Sequence, residues 1–326
     1  MTDNPETSQR APVDQLNQAL DSIRGELSKV IVGQEQLVDL MLISLLCDGH
    51  ILIEGVPGVA KTLVAKLMAK LVHAKFSRIQ FTPDLMPSDV IGTAVFNPGD
   101  ANFHFKPGPI FGNIILIDEI NRAPAKTQAA LFEVMEERQI TVDGVTHHMQ
   151  FPFIVLATQN PIEQEGTYRL PEAQLDRFLF KILVNYPSLE EEVSILQRQL
   201  DRNQTDLVAM VNPVLSVDAL MSYRKIVQQV IIEPKLIEYI ARVVNETRNN
   251  SALYLGASTR ASLALLRSSK AFAATRGRDF VIPDDIKEMA LPVLRHRIML
   301  TPEKEMEGIT SDMLIENILK TVEVPR

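Results

Sequence analysis

The chain has 326 residues, a net charge of −8 at pH 7 and a pI of about 5.4. Hydrophobic residues make up 46% and charged residues 23%, which is the composition of a globular protein and excludes disorder throughout. The acidic balance argues against sequence-independent binding to nucleic-acid phosphates, and the single cysteine excludes an internal disulfide or a zinc site of several cysteines. The polar N-terminus lacks a signal-peptide pattern and no apolar run is as long as a membrane span, so we expect a cytoplasmic protein.

The first part of the chain alternates between helical and strand-like patterns. Residues 1–12 are polar and are predicted to form a disordered tail. Apolar residues then recur at helical spacing up to residue 47, with an interruption at residues 31–34. The predicted strands that follow are His50–Glu54, Phe76–Phe81, Asn113–Asp118, Phe153–Thr158 and Phe178–Val184. Strands separated by helices predict an α/β unit over residues 13–187, with a parallel sheet covered by helices on both faces.

The character of the chain changes near Pro187, after which no strong strand pattern occurs. The helical patterns run through residues 189–202, 217–230, 234–249, 258–275 and 283–297. We therefore predict a separate all-helical domain over residues 188–326.

The strongest motif is GVPGVAKT at residues 55–62, between the first predicted strand and a helical run. This is the setting of a phosphate-binding loop, because glycines let backbone N–H groups face phosphates and the helix N-terminus adds unpaired donors. Lys61 can reach the outer phosphates, and the Thr62 hydroxyl can bind Mg²⁺. Ala60 replaces the second glycine of the strict pattern, and we expect right-handed helical torsions there. The predicted nucleotide-binding residues of this segment are Gly55, Val56, Pro57, Gly58, Val59, Ala60, Lys61, Thr62 and Leu63.

Polar side chains also end two later strands. Asp118 and Glu119 follow the apolar run Ile114–Ile117. Beside a phosphate-binding loop, the first carboxylate of such a pair holds Mg²⁺, usually through water, and the second orients and deprotonates the attacking water. Asn160 follows the next strand and would face the same crevice, where it could bond the γ-phosphate or the attacking water. A plain Asn-Pro turn is an equal alternative for Asn160.

Two other segments are rich in turn residues. Residues 92–111 combine Gly and Pro with short apolar pieces. Residues 139–150 place Asp-Gly between two β-prone arms, which predicts a β-hairpin. Both segments are candidate substrate contacts, and the alternative is that they pack an interface. His147 and His148 would face opposite sides of a strand, so we interpret them as solvated hairpin residues and not as metal ligands.

Taken together, these motifs resemble those of the MoxR family of AAA+ ATPases, in order from about residue 13 to the C-terminus. The segments that carry the resemblance are Ile31–Gln34, Gly55–Thr62, Asp118–Pro124, Ala157–Pro161, Leu170–Phe178 and Gly256–Ala261. The resemblance implies an AAA+ α/β core followed by a helical lid, with ATP and Mg²⁺ between them. It places the family's helix-2 insert at residues 92–111 and implies a ring, commonly a hexamer, in which each site is completed by a neighbour.

The resemblance assigns roles within the core. Asp118 and Glu119 match the Walker B pair, and Asn160 matches sensor 1. Val32 and Gly33 match the segment that lines the adenine pocket. These residues are therefore expected around one nucleotide.

The resemblance also assigns two arginines. Arg260 matches sensor 2, which reaches from the lid to the phosphates, and Arg177 matches the arginine finger, which enters the adjacent subunit's site. A guanidinium is always charged and forks onto phosphate oxygens. The alternative for Arg177 is an ion pair with Asp176 or Glu172, and Arg169 is the second candidate for the finger. For Arg260 the alternative is a plain surface arginine at a helix start, although a cation there opposes the helix dipole.

The favoured function is ATP-driven, chaperone-like remodelling or maturation of partner proteins. The resemblance implies a client protein and a partner with a von Willebrand factor A domain. The alternative is a ring ATPase that remodels or translocates DNA, which needs basic hairpin tips, and the arms over residues 140–148 contain no Lys or Arg. A GTPase switch would carry an Asn-Lys-x-Asp motif, which the sequence lacks.

Overall fold

The computed structural model describes residues 5–56, 58, 60–160, 168, 170–201 and 206–325, with side chains from residue 12 onward. Four residues named above lie outside the described residues: Pro57 and Val59 of the predicted phosphate loop, Pro161 at the end of the segment Ala157–Pro161, and the second finger candidate Arg169.

The described residues form the following elements. The strands are β1 (His50–Gly55), β2 (Phe76–Gln80), β3 (Gly92–Asn97), β4 (Asn102–Pro107), β5 (Ile114–Asp118), β6 (Gln139–Val142), β7 (Val145–His148), β8 (Ile154–Gln159), β9 (Phe178–Val184), β10 (Leu253–Leu255) and β11 (Met299–Leu300). The helices are α1 (Pro5–Ser28), α2 (Glu35–Cys47), α3 (Lys61–Leu71), α4 (Pro87–Ile91), α5 (Ala125–Glu137), α6 (Glu172–Leu175), α7 (Leu189–Asp201), α8 (Val217–Gln229), α9 (Pro234–Asn249), α10 (Thr259–Thr275), α11 (Pro283–Leu294), α12 (Pro302–Met306) and α13 (Ser311–Thr321). None of the helices described in these ranges is both long enough and apolar enough to cross a bilayer.

Five strands form one parallel sheet in the order β2-β5-β8-β1-β9. Their bounds agree with the predicted strands to within one residue, and the predicted fold class is confirmed. Successive side chains face opposite sides, so Ile51 and Ile53 join one apolar cluster while Leu52 joins the other. Because both faces of the sheet are buried, these strands are apolar without interruption.

The C-terminal helices dock directly on the core. The apolar cluster on one face of the sheet continues through α2 into α8, α9, α10 and α11, and α10 packs against α2. Leu42 of α2 and Leu265 of α10 are fully buried members of this cluster. The core and the lid therefore share one continuous apolar interior.

Two local features differ from the sequence prediction. α1 begins at Pro5, whereas the sequence predicts a disordered tail over residues 1–12. The residues of α1 before Val13 are mostly polar and give no apolar periodicity that could reveal a helix. The lid is also not all-helical, because β10 and β11 form an antiparallel pair within it. These strands are too short for an alternating pattern to appear in the sequence.

The two segments rich in turn residues form hairpins. β3 pairs with β4, and β6 pairs with β7 through Asp143 and Gly144, which both have positive φ. Positive φ at both central residues is the geometry of the turn that suits a two-residue hairpin. The hairpins contact each other where Phe105 stacks on His147, with ring centroids 4.3 Å apart.

His50, the first residue of β1, is buried at the start of the sheet. Its Nδ1 accepts a hydrogen bond from the Val155 N–H at 3.0 Å, and its Nε2 donates to the Met135 carbonyl at 3.2 Å. This arrangement requires the neutral ring with its proton on Nε2. Burial, with a further contribution from Arg138, lowers the pKa of His50 to about 4.

We expect the free energy of unfolding to fall as the pH decreases from about 6.5 to about 4. In this range the unfolded chain binds a proton at His50 and the folded chain does not, so acid favours unfolding by about 3 kcal/mol near pH 4. His296 acts in the same direction, because burial holds its pKa well below the ordinary value. Denaturant titrations at several pH values measure the effect. The variant His50→Asn cannot titrate and should show a shallower pH dependence; an unchanged dependence would contradict the assignment.

Candidate active site

A cavity of about 450 Å³ lies at the carboxyl ends of β1, β5 and β8. Parallel strands that are neighbours in a sheet bring their carboxyl ends to one edge, which is why segments distant in sequence meet here. The residues that line the cavity are Gly55, Gly58, Ala60, Lys61, Thr62, Leu63, Arg78, Gln80, Asp118, Glu119, Thr158, Gln159 and Asn160. The cavity thus unites the predicted phosphate loop, the predicted carboxylate pair and Asn160.

The phosphate loop joins the end of β1 to the start of α3. Gly55 must be glycine, because a Cβ there would lie 2.4 Å from the Val184 carbonyl oxygen of β9. Val56 is partly buried against the main apolar cluster. Gly58 has a φ of 89°, which glycine adopts readily.

Ala60 departs from the sequence prediction of right-handed torsions. Its φ and ψ are 57° and 15°, in the left-handed region, because it stands just outside α3 as the N-cap and the loop turns at this point. An L-residue in this region pays roughly 1–2 kcal/mol relative to right-handed torsions. The glycine of the strict loop pattern avoids that strain.

Lys61 is the first residue of α3. Its Nζ donates a hydrogen bond to the Gly55 carbonyl at 2.7 Å, so the ammonium folds back over the loop. Burial lowers the pKa of Lys61, while the nearby carboxylates of Asp118 and Glu119 act in the opposite direction. The first N–H groups of a helix have no acceptor within the helix, so the start of α3 and Lys61 together form a site suited to an anion.

The carboxylate pair is held by neighbours on both sides. Asp118 Oδ2 accepts a hydrogen bond from Arg78 Nε at 2.7 Å, and Glu119 Oε2 accepts one from Gln80 Nε2 at 2.8 Å. Buried Thr158 links the pair, since its Oγ accepts from the Glu119 N–H at 3.0 Å and donates to Asp118 Oδ1 at 3.4 Å. Each carboxylate therefore has a fixed direction.

Arg78, Gln80 and Thr158 are site residues that the sequence prediction missed. Arg78 and Gln80 lie two residues apart on β2, so they share one face of the strand. In the observed register Gln80 lies opposite Asp118. The sequence shows that Arg78 and Gln80 are two residues apart, but it does not show that β2 pairs with β5 and so brings them to the carboxylates.

The two predicted arginines lie away from this cavity. Arg177 precedes β9 and Arg260 lies at the start of α10; both line a second cavity of about 220 Å³ that also contains His50, at the opposite ends of the strands. Arg177 Nε and Arg260 Nη2 lie 3.2 and 2.6 Å from the two carboxylate oxygens of Glu136. The ion pair considered for Arg177 in the sequence analysis therefore exists, but its partner is Glu136.

Arg260 is not in the described lining of the phosphate-loop cavity, so its predicted reach from the lid to the phosphates stays a prediction. α10, which carries Arg260, packs against α2. The Ser258 hydroxyl at the N-cap of α10 also donates to Asp176 at 2.7 Å, which fixes the start of this helix beside Arg177. The structure thus groups Arg260 with Arg177.

The expected adenine segment also lies apart from the phosphate-loop cavity. Val32 and Gly33 line a third cavity, of about 590 Å³, together with Arg198 of α7. A Cβ at Gly33 would lie 2.1 Å from Glu191 Oε1, so α7 covers this glycine closely. Among the residues that the structure describes, Val32 and Gly33 are thus not in the lining of the phosphate-loop cavity.

The sequence matches two family models. Residues 50–180 match the ATPase family associated with various cellular activities (AAA), and residues 245–318 match the AAA lid domain. Chaperone MoxR1 of Mycobacterium tuberculosis is 47% identical over 310 residues, which covers 92% of this chain and 81% of that protein. The chain belongs to the MoxR family of AAA+ ATPases.

Two further comparisons extend over nearly the whole molecule. Protein YeaC of Bacillus subtilis is 46% identical over 299 residues, covering 92% of each chain. A crystal structure of a protein from Cytophaga hutchinsonii has 42% sequence identity and a TM-score of 0.91, covering 98% of this chain and 99% of that one. The architecture of core and lid is therefore shared with this solved structure.

Proposed function

We propose that this MoxR-family ATPase binds ATP with Mg²⁺ in the phosphate-loop cavity and hydrolyses it at the contacts between subunits of a ring, commonly a hexamer. The observation that carries the proposal is the division of the predicted residues between two ends of one sheet. Lys61 and Glu119 lie at the carboxyl ends of the strands, whereas Arg177 lies at the opposite ends. β1 has six residues, and a strand of that length spans about 17 Å. An Arg177 supplied by a neighbour would complete a site that the chain's own Arg177 does not reach.

The phosphate loop supplies the binding part of the proposal. Lys61 now donates to the Gly55 carbonyl, and an anionic phosphate oxygen is a stronger acceptor for the same ammonium. The first N–H groups of α3, which have no acceptor within the helix, would add donors for the phosphates. ATP binding would therefore replace a contact within the loop by contacts to the phosphates.

The carboxylate pair supplies the chemical part. Glu119 would accept the proton of the attacking water, and its hydrogen bond from Gln80 fixes the direction of the carboxylate. Asn160 lines the same cavity and would orient that water or bond the γ-phosphate. These roles agree with the resemblance to Walker B and sensor 1.

The residues present fit a Mg²⁺ ion. The Thr62 hydroxyl and the Asp118 carboxylate line one cavity and offer the oxygen ligands that Mg²⁺ prefers. Asp118 Oδ1 accepts a 3.4 Å contact from Thr158, which is long enough to leave this oxygen able to face a further partner. Proteins commonly hold Mg²⁺ with one or two side chains and leave the remaining positions to phosphates and water. The bound ion would neutralise charge that develops on the phosphates.

Arg177 and Arg260 would act on the neighbouring subunit's nucleotide. Both contact the Glu136 carboxylate, an oxyanion; Glu136 and Arg260 are exposed and Arg177 is partly buried. A phosphate carried by the adjacent subunit offers the same kind of acceptor with more charge. The proposal therefore extends the arginine-finger role to a pair of guanidinium groups.

The energy of hydrolysis would serve protein remodelling. The name Chaperone MoxR1 of the Mycobacterium tuberculosis relative supports this direction. Phe96 and Phe103 near the tip of the β3–β4 hairpin are 49% and 71% exposed, which makes this hairpin a candidate contact for a client protein. A partner with a von Willebrand factor A domain is proposed from the family resemblance.

The variant Lys61→Ala tests nucleotide binding. It removes the only side-chain ammonium in the described lining of the phosphate-loop cavity, so we expect loss of ATP affinity with little change in thermal stability. Titration with a fluorescent ATP analogue measures the affinity, with and without Mg²⁺.

Lys66→Ala is the matched control for this experiment. Lys66 lies on the same helix and is exposed, so its replacement should leave ATP affinity unchanged. Equal affinities for wild type, Lys61→Ala and Lys66→Ala would remove the phosphate-loop assignment.

A further inference from the structure

Asp176, the residue before Arg177, is held by the lid. Its Oδ2 accepts a hydrogen bond from the Ser258 hydroxyl at 2.7 Å, and its Oδ1 accepts one from Arg297 Nε at 2.8 Å. Ser258 Oγ also accepts from the Arg260 N–H at 3.1 Å. One hydroxyl group therefore links the segments that carry the two arginines.

Arg297, a lid residue, contacts the chain on both sides of Arg177. Its guanidinium donates to the carbonyls of Asp176 and Leu179, each at 3.1 Å, and also to the carbonyls of Phe178 and Val293. The side chain is 3% exposed. The acceptors include backbone groups immediately before and after Arg177, so the guanidinium fixes the chain on which Arg177 is mounted.

β9 is an edge strand, which gives a simpler alternative for Arg297. In this alternative, Arg297 would only provide hydrogen-bond donors for the unpaired carbonyl groups along the edge of β9. Arg295 has such a role, because it donates to the Lys181 carbonyl at 3.3 Å and pairs with Asp312 at 2.9 Å. Arg295 is also largely buried, but its contact on β9 lies four residues beyond Arg177. Arg297 and Arg295 are therefore both largely buried and both charged, and they differ in which residues of β9 they contact.

We infer that Arg297 is a positioning residue for Arg177. The inference rests on the proposed role of Arg177 at the neighbouring site. Four acceptors at residues 176–179, arranged around one rigid, planar group, define the path of the chain there, while the fifth, the Val293 carbonyl, ties that group to the lid. Arg177 then projects from this segment toward Glu136 and the face of Phe132. A finger that must meet a phosphate on another subunit depends on this placement, since an error of about 1 Å in a reacting group can reduce the rate roughly a hundredfold.

The variant Arg297→Lys tests the inference. Lysine keeps the charge but has three donors on one atom, so it cannot reproduce the contacts of the planar fork. We expect unchanged ATP binding and a fall in the ATPase rate of assembled rings by roughly tenfold to a hundredfold. Arg295→Lys is the matched control and should hydrolyse ATP close to the wild-type rate.

Two measurements distinguish a positioning role from general loss of structure. Mixed with Lys61→Ala subunits, which carry intact Arg177 and Arg297, the Arg297→Lys subunits should regain activity in mixed rings. The double variant Arg177→Ala with Arg297→Lys should be no slower than Arg177→Ala alone, because a missing side chain needs no positioning. If Arg297→Lys does not fold, Asp176→Asn applies the same test, since it removes the charge that faces both lid groups and keeps the shape.

The outcomes separate the inference from the function on which it rests. Wild-type hydrolysis by Arg297→Lys while Arg177→Ala is slow would overturn the positioning role and leave the finger intact. Additive losses in the double variant, or equal losses in Arg297→Lys and Arg295→Lys, would also overturn it. Wild-type hydrolysis by Arg177→Ala would remove the finger itself.

Discussion

Replacing Arg177 by alanine should reduce the ATPase rate of assembled rings by roughly 10³- to 10⁵-fold, the effect of trans-acting arginines in GTPases, without weakening ATP binding. The physical reason is that a guanidinium neutralises charge that develops on the phosphoryl group. Arg177 lies at the opposite end of the sheet from the Lys61 of its own chain, so the affected nucleotide would be the neighbour's. Single-turnover hydrolysis and nucleotide titration measure the two quantities separately. The surface variant Arg242→Ala, which breaks an exposed pair with Glu238, is the control.

Mixed rings decide whether Arg177 acts between subunits. Arg177→Ala subunits and Lys61→Ala subunits should each be inactive alone. In a mixture, some interfaces would join an intact phosphate loop to an intact Arg177, so partial activity should return. If mixed rings form and no activity returns, the role of Arg177 should be withdrawn and Arg169 tested next.

The variant Glu119→Gln should bind ATP normally and hydrolyse it roughly 10²- to 10⁴-fold more slowly, which is the usual contribution of a general base. Glutamine keeps the shape of the side chain but cannot take a proton from water. Thr158 and Gln80 would still contact the residue, so the loop geometry should be retained. Glu133→Gln, on the exposed face of α5, is the matched control. Hydrolysis at the wild-type rate in Glu119→Gln would show that another group is the base.

The sheet and its site were predictable because their signals are local. The apolar run Ile114–Ile117 indicates a strand buried on both faces, and the glycine-rich loop before Lys61-Thr62 indicates a phosphate site. Neighbouring parallel strands then bring these segments to one edge. The structure brings Lys61, Asp118, Glu119 and Asn160 together as that reasoning requires.

The remaining features depend on contacts between distant segments. Arg78 and Gln80 join the site only because β2 pairs with β5 in a register that the sequence does not state. The position of Arg260 follows from the packing of α10 on α2, which no helix periodicity can reveal. The left-handed torsions of Ala60 arise where the loop meets α3, whereas an alanine by itself favours right-handed torsions.

The continuous apolar interior shared by α2 and α10 limits how one subunit can move. A hinge between core and lid would bring residues such as Leu42 and Leu265 into water, and each buried side chain of this size contributes about 1.5–3 kcal/mol. Sliding or opening between α2 and α10 would therefore disrupt a whole layer of packed side chains. Within the proposed ring, the core and the lid of one subunit would move together as one rigid body. The movements driven by hydrolysis would then occur at the interfaces between neighbouring subunits.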